Sequence, residues 1–246
     1  PAPTAASTTP ALDAVQPDGS FATNLSYDPE RAPAKKLSVA ELHALSAQTE
    51  RAFDQALDQY AGLGPALADA QVPDLGLASD LLRGFQRYVG ADPALVLMLM
   101  KIKGDVQSSL YRHGIKTALL SMTLATQMGF ADQQVTDAGV AALVHDLGML
   151  RVPLHIRTAE RQLPPAEWQQ VREHPTHTLN ILDRLKGVTE SVKTAAYQVH
   201  ERCDASGYPR KRPQQFIHPM AKVIAVADTY AALTDDEVAA LDAWYT

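Results

Sequence analysis

Six residues carry the side chains for metal chemistry: His113, His145, Asp146, His174, His200 and Asp228. His145 and Asp146 are adjacent at the C-terminal end of an otherwise apolar stretch, Ala138 to Leu147. An imidazole beside a carboxylate on a buried helix needs partners, because an unpaired buried polar group costs ~2–7 kcal/mol. Metal coordination is one way to satisfy both. His113 falls on an apolar face one helix earlier, and Asp228 closes the run Val223-Ile224-Ala225-Val226-Ala227. Taken singly, each has a bland explanation: a core histidine with a hydrogen bond, or a carboxylate tying two helices together. The ordered set is more specific than its members. Neutral imidazoles mixed with carboxylates suit iron, manganese or zinc. A metal held by such a set can activate water at neutral pH.

The elements that must position these residues read as helices. The sequence predicts a helix over Tyr111 to Met128, stopped by Gly129, and a second from about Asp132 to Leu147. A loop follows over Gly148 to Leu163. Pro165 suits the first turn of a helix carrying Trp168, Val171 and His174. Pro175 reads as a boundary before another helical stretch with Leu179, Ile181 and Leu182. Val192 to Glu201 is a further predicted helix, Arg202 to Pro219 a long loop, and Met220 to Leu233 the last helix. Upstream, residues 1–37 are rich in Ala, Pro, Ser and Thr and read as an irregular arm or linker. Ser38 followed by Glu41 looks like a capping box. It opens a helical N-terminal region over 38–100, regulatory or dimerising by its position alone. Alternating β patterns are few, so the expected fold class is all-α.

Composition sets the outer bounds. The 246 residues are 46% hydrophobic and 20% charged, ordinary globular proportions. The net charge of −6 argues against a broad DNA- or RNA-binding surface. No apolar run approaches the ~18 residues that span a bilayer. Cys203 is the one cysteine, which fits a reducing compartment and an expected cytoplasmic location. The chain starts at Pro1, leaving an upstream targeting or sensor segment open.

The stretches LVHDLGMLRVPLHI, WQQVREHP, VHERCDASGYP and KVIAVADTYAALT resemble the HD-GYP branch of the HD phosphohydrolases, over roughly Leu97 to Thr234. The resemblance implies an HD-type helical bundle over 101–246 that binds two divalent transition metals and hydrolyses cyclic di-GMP or a related cyclic dinucleotide. Iron or manganese is the expected metal, with zinc, nickel or magnesium as alternatives. By the resemblance, His113, His145, Asp146 and Asp228 hold one ion, and Asp146, His174 and His200 the other. His145 and Asp146 stand at the catalytic centre. Arg151, Arg157, Arg161 and Tyr208 are expected to meet substrate, while Glu201 and Asp204 support the site from behind. A signalling protein partner and a homodimer are further expectations.

The chain departs from the family pattern at functional positions. Val199 stands where the family has a further histidine, Met149 where it has a lysine, and Ala159 within a segment that usually supplies another lysine. Ala205 replaces a glycine, Ala231 an acid, and Ser109 a glutamate that serves a third metal in some members. These changes leave open an alternative reading, a catalytically degenerate module that binds a nucleotide or a partner protein. A third reading, an HD phosphohydrolase acting on nucleotides or monoesters, is disfavoured by Gly207-Tyr208-Pro209.

Overall fold

The structure is a computed structural model that describes residues 15–21, 82–83, 85–86 and 109–234. The expected capping box at Ser38 and nearly all of the 1–37 and 38–100 regions lie outside the described residues. Within them the fold is all-α. The helices are α1 (Ser109–Gln127), α2 (Asp132–Val144), α3 (Leu154–Arg157), α4 (Pro165–Arg172), α5 (His174–Leu182), α6 (Glu190–Tyr197) and α7 (Pro219–Thr234). Two 3-10 turns, Leu147–Arg151 and Gln214–Phe216, join them.

The core follows from helical spacing. On α1, Ile115, Ala118, Leu119, Met122 and Ala125 are buried three and four residues apart. They meet α2, which is buried almost from end to end over Val135 to Val144. Helix α7 packs on both with Val223, Ile224, Ala227 and Ala231, and α6 closes the cluster with Val192, Ala195 and Ala196. Leu82 and Phe85, helical residues of the upstream region, are buried in this same core. A second apolar cluster, Met149, Val152, Ile156, Ala159, Leu163 and Val171, lies under the segment after α2.

Three boundaries differ from the sequence expectation. The segment predicted as a loop from Gly148 contains the first 3-10 turn and the short helix α3. The helix from Pro165 ends at Arg172, and His174 opens a new one in which Pro175 occupies the first turn, where its missing N–H costs nothing. Helix α6 ends at Tyr197 rather than running to Glu201. Its end is held by Gln198, whose side-chain amide donates to the Phe216 carbonyl at 3.3 Å and accepts from the His218 amide at 2.7 Å. His200 therefore sits in the turn beyond the helix.

Residues 15–21 dock on the same loop. The Phe21 amide donates to the Gln215 carbonyl at 2.9 Å, and the Phe21 ring stands edge-on to His218 at 4.8 Å. His218 is buried, 2.9 Å from Ser191 Oγ. It accepts from the Met220 amide through Nδ1, so Nε2 carries the proton.

Candidate metal centre

Five elements converge on one point. His113 comes from the first turns of α1, His145 and Asp146 from the end of α2, His174 from the start of α5, His200 from the turn after α6, and Asp228 from the middle of α7. Asp146 Oδ1 lies 3.3 Å from His145 Nε2, 3.2 Å from His174 Nε2 and 3.7 Å from His200 Nε2. Asp228 Oδ1 accepts from His113 Nε2 at 2.8 Å and lies 3.4 Å from His145 Nε2. His174 Nε2 and His200 Nε2 are 3.0 Å apart.

The tautomers are set from outside the cluster. His145 Nδ1 donates to the Ala142 carbonyl and His174 Nδ1 to the Val171 carbonyl, each at 2.7 Å. A carbonyl only accepts, so both Nδ1 atoms carry protons. In the neutral rings the Nε2 lone pairs then face inward. His145 Nε2 and Asp146 Oδ1 are buried without a hydrogen-bond partner. A lone pair facing two carboxylate oxygens is repulsive unless a proton or a cation stands between them. The donor set suits a divalent metal: two groups, His113/His145/Asp146 and Asp146/His174/His200, each have ligand atoms within 4.8 Å of one another and share Asp146. An imidazole that donates its other N–H to a carbonyl is oriented to ligate through the free nitrogen.

The electrostatics are those of a mutually stabilised ionic cluster. Burial works to raise Asp146, but the imidazoles of His145, His174 and His200 outweigh it and hold the carboxyl well below the usual range. Asp228 is held down in the same way by His113 and His145, against its burial. Burial works to lower His145, and the Asp146 and Asp228 carboxylates outweigh it, so its net shift is upward. For His200 burial prevails and the shift is downward, which favours the neutral ring that a metal needs.

Close backbone approach frames the cluster. A Cβ on Gly148 would stand 2.0 Å from the His174 carbonyl oxygen, and one on Gly207 would stand 2.4 Å from both the His200 carbonyl oxygen and the Arg202 nitrogen. Glycine is what lets the turn after Asp146 lie against α5 and the Tyr208 loop fold back on His200. Thr178 ties the first of these contacts, with its hydroxyl between Gly148 and His145.

The other expected site residues are placed as follows. Tyr208 stacks on the His200 ring at 4.9 Å with the planes 12° apart. Glu201 is buried and accepts from the amides of Arg210 at 2.6 Å and Arg212 at 2.9 Å, so it fixes the loop that carries Tyr208. Asp204 is exposed and accepts from the Ser206 amide and hydroxyl. Arg161 pairs with Glu167 at 2.9 Å, Arg157 donates to the Val152 carbonyl, and Arg151 is exposed on the 3-10 turn. Burial pushes the Tyr111 phenol up, partly offset by the charge of Arg157. Val199, Met149 and Ala159 are buried in apolar clusters. Sequence reasoning missed Arg172, whose guanidinium lies 5.8 Å over the Tyr208 ring and 5.7 Å over Trp168. Its place two residues before His174 was the available signal. His218 gave none, because its partners come from distant segments.

Comparison with known proteins bears on the same stretch. A family model described as HD domain matches residues 98–242. A cyclic di-GMP phosphodiesterase of Pseudomonas aeruginosa is 33% identical over 166 residues, covering 68% of this chain and 40% of that protein. A cyclic di-GMP phosphodiesterase of Thermotoga maritima is 32% identical over 50% of this chain and 34% of its own length. A 3'3'-cGAMP-specific phosphodiesterase of Vibrio cholerae is 30% identical over 61% of this chain and 35% of its own length. The chain thus spans two fifths or less of these relatives.

Proposed function

The chain belongs to the HD domain family, in its HD-GYP branch, and on that premise we propose that it is a metal-dependent phosphodiesterase acting on cyclic di-GMP or a related cyclic dinucleotide. The observation that carries this reading is the pair of metal-competent groups sharing Asp146, with His145 Nε2 and Asp146 Oδ1 buried and unpartnered between them. His113, His145, Asp146 and Asp228 would hold one divalent ion, and Asp146, His174 and His200 a second, with iron or manganese the ions that the resemblance implies among those this donor set accepts. Bound there, the ions would supply a water nucleophile at neutral pH and an electrostatic sink for the phosphoryl oxygens. The chain's own residues do the rest. The carbonyls of Ala142 and Val171 keep the Nε2 lone pairs of His145 and His174 aimed inward. Tyr208 covers the His200 ring and walls one side of the cluster. Glu201 keeps that wall in register by holding two amides of its loop.

One set of observations favours the alternative of a degenerate binding module. Val199 is 2% exposed, Met149 4% and Ala159 8%, so these three of the positions that depart from the family pattern are packed as core. Elemental analysis of anaerobically purified protein, beside a cyclic di-GMP hydrolysis assay with iron or manganese supplied, separates the two. About two metals per chain with turnover, as a two-metal site requires, is the expected result. No turnover with a partly filled site would replace the enzyme by the binding module. Asp146→Asn removes the shared ligand and is expected to abolish both occupancy and turnover.

No helix among the described residues is long and apolar enough to cross a membrane. In this reading the chain works in the cytoplasm, where a signalling protein or a second copy would engage it.

A further inference from the structure

We propose that Arg172, held between Trp168 and Tyr208, is the subsite for the phosphate of the cyclic dinucleotide that is not being cleaved. This inference rests on the phosphodiesterase reading above and deepens it.

Arg172 is the last residue of α4, two positions before His174. Its guanidinium carbon stands 5.7 Å from the Trp168 ring centroid and 5.8 Å from that of Tyr208. The Trp168 contact is an ordinary one-turn pair on a helix. The Tyr208 contact is different, because it joins α4 to a loop more than thirty residues later in the sequence. Tyr208 in turn lies nearly flat on His200 and edge-on to His174 at 6.2 Å. The guanidinium is therefore one aromatic ring away from two residues of the metal cluster.

Three features fit an anion subsite. First, Arg172 is exposed, and among the described residues no carboxylate pairs with it, whereas Arg161 is engaged with Glu167. Second, aromatic faces on two sides fix where the guanidinium lies, which lowers the ordering cost of binding. Third, a planar guanidinium offers a two-pronged fork matched to phosphate oxygens. A cyclic dinucleotide carries two phosphodiesters across one macrocycle. With one at the metal cluster, the other must lie beyond its edge, and Arg172 lies one aromatic ring from the cluster with no carboxylate partner among the described residues. The lysine expected at Met149 is absent and that side chain is buried, whereas Arg172 presents a cation at the Tyr208 ring.

The test compares two diesters on the full chain loaded with manganese: cyclic di-GMP, and bis(4-nitrophenyl) phosphate, which has a single phosphate. Arg172→Gln is expected to raise KM for cyclic di-GMP roughly tenfold or more, the loss typical of a charge-assisted bond. The ratio of kcat/KM for cyclic di-GMP to that for the small diester should fall by a similar factor, at unchanged metal content. Arg172→Lys should recover part of the loss. An unchanged KM overturns the proposal. So does an equal fall for both diesters, which would make Arg172 a prop for Tyr208. Should the wild-type chain fail to turn over cyclic di-GMP, the phosphodiesterase reading falls on its own. The subsite is then read from the Kd of cyclic di-GMP by calorimetry, where an Arg172→Gln value equal to wild type would overturn it.

Discussion

The Thr178 hydroxyl donates to the backbone carbonyl of His145 at 2.7 Å and accepts from the Gly148 amide at 2.9 Å. One fully buried side chain on α5 thus closes the turn that carries Asp146, one helical turn beyond His174. It locks the two halves of the cluster together. Thr178→Val keeps the shape and leaves both backbone groups buried and unpaired, a cost of ~1–3 kcal/mol. The expected outcome is a lower Tm and metal affinity reduced roughly tenfold, in the range seen when support to a ligand is lost. Thr178→Ser should restore both. Wild-type metal affinity in Thr178→Val would mean that the turn is held by packing alone.

Glu201 gives a second prediction. Both carboxylate oxygens accept from backbone amides, and the residue is 4% exposed. Glu201→Gln replaces one acceptor with an NH2 group that faces a donor. Stability should fall by ~1–3 kcal/mol, measured by chemical denaturation, and Tyr208 should lose its stacking on His200. A substitution without effect on stability would show that the loop stands without this tie.

Ala205 has φ +62°, in the left-handed region that costs a residue with a Cβ about 1–2 kcal/mol. The resemblance expects glycine there. Ala205→Gly should stabilise the protein by about 0.5–1 kcal/mol after the added unfolded-state entropy of glycine is subtracted. A thermal melt checks the sign, and a drop in Tm would mean that the Ala205 methyl contributes packing that outweighs its backbone strain.

Metal binding should depend on pH in a defined direction. Burial acts to lower His145, but Asp146 and Asp228 raise it above the ordinary 6.5. A metal must displace that proton, so affinity is expected to climb as pH rises through and above 6.5 and to level off once the ring is neutral. The stability of the metal-free protein should respond in the opposite sense. Its contribution from protonated His145 is complete below 6.5 and is lost as pH rises through the raised folded value. Competition titrations with a chelating dye between about pH 6 and about pH 8, the window where histidine changes charge, check the first trend. A flat profile would remove His145 from the ligand set.

Much of this architecture is legible from the chain itself. The spacing of Ile115, Leu119 and Met122, and of Val223, Ile224 and Ala227, fixes which faces of α1 and α7 turn inward. Gly129 does stop the first helix, its amide donating to the Thr126 carbonyl. The order of His113, His145–Asp146, His174, His200 and Asp228 singles these side chains out, and the fold gathers them. What escapes a linear reading is set by contacts far apart in sequence. Helix α6 stops at Tyr197, and the Gln198 side chain just beyond it is claimed by Phe216 and His218. Arg172 acquires meaning only when Tyr208 folds over it. Glu201 can be marked as important, but its work on the Arg210 and Arg212 amides depends on a loop whose path periodicity does not encode.

The most direct test of the account is the turnover of cyclic di-GMP by the full chain after chelation and after stepwise return of manganese or iron. The account predicts no hydrolysis without metal, recovery as the ions return, and no recovery in Asp146→Asn, which lacks the carboxylate shared by both groups. Hydrolysis that survives chelation, or a wild-type chain that binds the ions and leaves cyclic di-GMP intact, would contradict it.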